Sequence, residues 1–86
     1  MKIVINKCYG GFGLTEEVMK QLPKYEYDWD VPRNDPDLVS IVEKLGYAAG
    51  GSYSKLEIVE VPDGVAWDIK EYDGLEHIAE VHRTWG

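Results

Sequence analysis

Near the start of the chain, Lys2-Ile3-Val4-Ile5-Asn6-Lys7-Cys8 runs directly into Tyr9-Gly10-Gly11-Phe12-Gly13-Leu14. Three consecutive β-branched residues favour extended backbone, and with no polar residue between them both faces of the strand require cover. Such a strand lies inside a fold, so other elements must pack on either side of it. The glycines then supply backbone angles that other residues resist. Thr15 caps a helix whose first turn holds Glu16 and Glu17, favourable beside the helix dipole. Val18, Met19 and Leu22 form its inner face, and Pro23 ends it.

A second helix is bounded more sharply: Asp35 caps it, Pro36 takes the first helical position, and Gly46 closes it. Leu38, Ile41, Val42 and Leu45 recur at helical spacing within it. Between the helices, residues 24–34 are rich in Tyr, Trp and Asp without a period, which reads as an ordered loop or irregular strand whose aromatics fold back on the domain. Tyr47 to Ser54 is a flexible connection. Leu56 to Val61 reads as a strand, Pro62-Asp63-Gly64 as a turn, and Ala66 to Tyr72 as a partner strand at a charged sheet edge. Asp73 with Glu76 three residues on reads as a capping pair for a last helix carrying Leu75, Ile78, Ala79 and His82 inward.

The fold class expected is therefore α+β, a small three-stranded mixed sheet with two or three helices in the order β-α-α-β-β-α, forming one domain over residues 1–86. Its predicted core is Val4, Ile5, Leu38, Ile41, Val42, Leu45, Ile58 and Ile78. A chain this small, with three Trp and six Tyr, is expected to cover surplus apolar surface as a homo-oligomer, most simply a two-fold dimer.

Cys8 is the sole cysteine, which leaves neither an intrachain disulfide nor a cysteine-rich zinc site. The apolar start is too short for an export signal or a membrane span, so a cytoplasmic location and no membrane partner are expected. A net charge of −7 repels phosphate backbones and argues against nucleic-acid binding.

No enzyme motif is complete, so no catalytic residues, cofactor or metal are assigned. There is no GxxxxGK[ST], and the GxGxxG pattern fails because Glu16 stands at the third glycine position after Gly11 and Gly13. Cys8 ahead of a glycine turn invites comparison with cysteine phosphatases, but Leu14 occupies the arginine place. His77 and His82 would lie about 140° apart around a helix, which prevents joint chelation. Arg33, just ahead of the second helix, reads as a surface ion-pair partner.

The glycine turn remains the one feature whose placement points to recognition as well as folding. Backbone N–H groups of Gly10, Gly11 and Gly13 could receive an anion, with Lys7, Tyr9 and Phe12 beside them. His82, Arg83 and Trp85 could add a polar and aromatic corner. The alternative is a tight corner that needs glycine for geometry alone.

The opening KIVINKCYGGFGLT, the middle RNDPDLVSIVEKLG and the closing IVEVPDGVAWDIKEYDGLEHIAEVHRTW together resemble a family of small uncharacterised proteins encoded by phages and prophages. That resemblance implies a setting: small acidic proteins of this kind often act by binding a host defence or regulatory protein, or by sequestering a small anionic or nucleotide signal. A non-enzymatic binder is the leading expectation, with a virion-associated oligomer or a small hydrolase or transferase as alternatives.

Overall fold

A computed structural model describes residues 1–51 and 54–80. Strand β1 (Lys2–Asn6) leads through the glycine turn to a short helix α1 (Glu16–Lys20), and a 3-10 turn at Asp28–Asp30 precedes helix α2 (Pro36–Leu45). Strands β2 (Leu56–Glu60), β3 (Trp67–Tyr72) and β4 (Leu75–Glu80) follow. Lys7 and Cys8 lie outside β1, so the first strand ends two residues before the expected Lys2–Cys8 stretch does.

The three-stranded mixed sheet is not formed. Instead there are two separate two-stranded antiparallel sheets, β1 with β2 and β3 with β4, and α2 is the only helix longer than five residues among the described residues. β1 pairs with β2 from Lys2 opposite Glu60 to Asn6 opposite Leu56. The expected hairpin of β2 with β3 is replaced by a hairpin of β3 with β4. Val65 N–H does donate to Pro62 O at 3.3 Å in the Pro62-Asp63-Gly64 turn, but the chain leaves that turn without pairing β3 to β2.

The last helix expected on the described residues is also replaced, by β4. Asp73 and Gly74 have φ of 49° and 89°, and positive φ at both central residues is what a two-residue turn of type I′ requires. Asp-Gly between two apolar runs is a hairpin signal, and here it overrides the capping pair of Asp73 with Glu76. Register then pairs Ile69 with Ile78 and Glu71 with Glu76.

Helix ends follow the local sequence. Thr15 Oγ1 accepts from Val18 N–H at 3.3 Å, and Asp35 Oδ1 accepts from Asp37 and Leu38 N–H at 2.9 and 3.1 Å. Gly46 ends α2 at φ 59°. The roll of α2 differs from the expected one: Leu38, Val39 and Val42 are buried, Ile41 is partly buried and Leu45 is 40% exposed.

Burial of β1 on both faces holds, with Ile3, Val4 and Ile5 each 1% exposed or less. Val4 joins a cluster with Leu14, Val18, Leu38, Val42 and Leu56 beneath the helices. Ile3 and Ile5 join Val61 in a second cluster, covered by Trp67, Ile69 and Ile78 of the hairpin. The expected core is thus divided between two faces of one sheet, Ile41, Ile58 and Ile78 are only partly buried, and Leu45 lies outside it.

Candidate functional site

The glycine turn is built from Asn6 outward. This side chain is fully buried because its polar atoms serve backbone that β1 no longer pairs: Nδ2 donates to Cys8 O at 2.7 Å and Gly74 O at 2.6 Å, and Oδ1 accepts from Cys8 and Lys55 N–H. Gly74 in turn sits directly on Gly10 and Gly11, where a Cβ at position 74 would overlap the Gly11 backbone nitrogen. Gly11 has φ 92°, and its carbonyl accepts from Ser54 Oγ at 2.6 Å. Gly13 O accepts from Gly51 N–H at 3.1 Å. The turn is thereby clamped by the β3–β4 turn and by the segment ahead of β2.

Phe12 and Arg33 carry the same clamp deeper. The guanidinium carbon of Arg33 lies 3.6 Å from the Phe12 ring centroid, while its two terminal nitrogens donate to Glu76 at 2.6 and 2.8 Å. Glu76 Oε1 also accepts from Asn6 N–H at 2.7 Å, taking the place of a strand partner at the free edge of β1. Arg33 is therefore a largely buried connector between the two sheets and not a surface ion-pair partner, with its side chain 21% exposed and that of Glu76 7%.

Beside the turn lies the aromatic segment 25–30. Asp28 anchors it, its Oδ2 accepting from Leu14 N–H at 3.2 Å. Tyr25 folds inward and donates its hydroxyl to Asp35 Oδ2 at 2.7 Å. Burial pushes the Asp35 carboxyl up, but this hydroxyl, the Leu38 and Asp37 N–H groups and nearby Lys24 outweigh it and hold it below the usual carboxylate range. Tyr27 and Trp29 do not fold back as expected. Their rings stack in parallel, centroids 4.4 Å apart and planes 5° apart, with Trp29 72% exposed.

The residues singled out in the sequence are thus separated. Lys7, Tyr9 and Gly10 lie at the surface, and Tyr9 is 66% exposed. Gly11, Phe12 and Gly13 are partly buried and tied into the scaffold. Among the described residues no acceptor is paired with the N–H groups of Tyr9 to Gly13, yet the Asp28 carboxylate 3.7 Å from the Cβ position of Gly13 brings negative charge to the turn. His82, Arg83 and Trp85 lie outside the described residues.

Two depressions of about 280 and 300 Å³ flank Ser40 of α2, one reaching Gln21 and Leu45, the other Met1 and Asn34; neither touches the glycine turn. Among the described residues no three His, Cys, Asp or Glu side chains converge to hold a metal, and no helix is long and apolar enough to cross a membrane. Comparison with protein-family models, curated proteins and solved structures returned no match.

Proposed function

We propose that this chain is a small non-enzymatic binding protein of the phage type that acts on a host protein, with its contact surface formed by the Tyr27–Trp29 stack and the exposed side of the glycine turn. The observation that carries this reading is the exposure of Trp29, 72% in a segment anchored to the turn through Asp28. Trp and Tyr dominate the energetics of protein interfaces, and a large aromatic left in water costs free energy that a partner recovers. Tyr9, on the glycine turn, is a further exposed aromatic at 66%.

A protein suits this surface better than a small anion. The net charge is −7, Asp28 stands beside the turn, and the two depressions lie elsewhere. The test is native mass spectrometry of the tagged chain recovered from phage-infected cells, run beside Trp29→Ala with melting temperatures taken on both. The expected result is a protein partner retained by the parent chain and lost from an equally stable variant. Retention of a small anion in place of a protein, or a partner held equally by Trp29→Ala, would reject the reading.

A further inference from the structure

We infer that the Tyr27–Trp29 stack is a platform for an arginine side chain carried on a basic segment of the partner, a deduction that rests on reading the chain as a protein-binding module. Stacking on Tyr27 uses one face of the indole, and Trp29 as a whole stays 72% exposed. An exposed indole face attracts cations through its quadrupole. Rings already held against each other have less rotamer freedom to lose when a partner docks.

Charge around the stack specifies the sign of the partner. The segment is Glu26-Tyr27-Asp28-Trp29-Asp30, with Glu26 and Asp30 exposed, and among the described residues no cation is paired with any of its three carboxylates. A flat aromatic beside carboxylates favours guanidinium over ammonium, because the planar group can lie on the ring while its N–H fork meets the acids. The interior of this same molecule uses that combination, with Arg33 lying on Phe12 and held bidentately by Glu76. Trp29 and the exposed acids Glu26 and Asp30 present the same two kinds of group outward, whereas Asp28 is held on the glycine turn.

The full chain is titrated with two synthetic peptides of equal length and charge, one arginine-based and one lysine-based, by calorimetry at low salt. We expect the arginine peptide to bind about fivefold tighter, and Trp29→Ala to abolish that preference by weakening the arginine peptide more than the lysine peptide. Equal affinities, or a preference that survives Trp29→Ala, overturn the inference as general charge attraction. Should Trp29→Ala melt early, Trp29→Phe keeps a stacking ring with a weaker quadrupole and must show an intermediate preference. A photo-crosslinking amino acid that carries an aromatic ring, and so keeps a stacking surface at position 29, then reads the partner in cells when it replaces Trp29. A cross-linked partner segment containing arginine supports the inference; a segment without one overturns it and leaves the binding-module reading intact. Cross-links from position 9 with none from position 29 overturn the platform.

Discussion

At Gly74 two constraints coincide, a φ of 89° and a backbone packed against the Gly11 nitrogen, whereas Gly11 has φ 92° with open space where a Cβ would stand. Gly11→Ala should cost about 1 kcal/mol through backbone conformation alone, and Gly74→Ala distinctly more, because rigid backbone must also move. Thermal denaturation of the two variants checks the order, and equal losses would show that the turns are not clamped together. Asp35 offers a second test at this scale. Its folded-state carboxyl titrates below the ordinary value, so its contribution to stability is complete above about pH 4 and is lost as pH falls through the lower, folded value. Asp35→Asn should therefore flatten the acid limb of the stability curve; an unchanged limb in denaturant titrations across that range would contradict the assignment.

Helix α2 shows how an element can be placed by its ends and still turn on its axis. Asp35, Pro36 and Gly46 bound it as expected, because a cap is a matter of residues within one turn of each other. Leu38 and Val42 anchor either possible face, and only contact with the rest of the molecule chooses Val39 over Leu45 as their flank. Leu38→Ala should cost roughly 2–5 kcal/mol, and Leu45→Ala about 1 kcal/mol or less. Chemical denaturation that found Leu45→Ala the more damaging would mean that the helix is rolled the other way.

Across the whole molecule, the two sheets are joined by apolar contact of Ile3 and Ile5 with the hairpin and by the Arg33–Glu76 pair. Glu76→Gln should cost roughly 3 kcal/mol, because it leaves a largely buried guanidinium without its counter-charge. Arg33→Met combined with Glu76→Gln should restore much of that loss, since it removes the unpaired guanidinium while the Gln amide oxygen can still accept from Asn6 N–H. Equal instability of the single and double variants in denaturant titrations would show that the pair does not couple the sheets.

What the sequence by itself determined is what residues within a few positions settle among themselves: an extended run at Ile3 to Ile5 that needs cover on both faces, a cap at Thr15, and both ends of α2. The glycine turn was legible as a turn, but its clamping by Gly74 and Ser54 was not. The same is true of the candidate site, where the Tyr27 and Trp29 side chains could be noticed but their exposure could not. Tertiary structure alone decided that β1 pairs with β2, that Asp73-Gly74 turns the chain into β4 in place of a helix, and that Glu76 reaches Arg33 across 43 positions. The physical reason is range: steric limits and capping bonds act within a turn of chain, whereas strand pairing and buried ion pairs depend on which distant segments meet, and local propensities too close to choose are settled by that meeting.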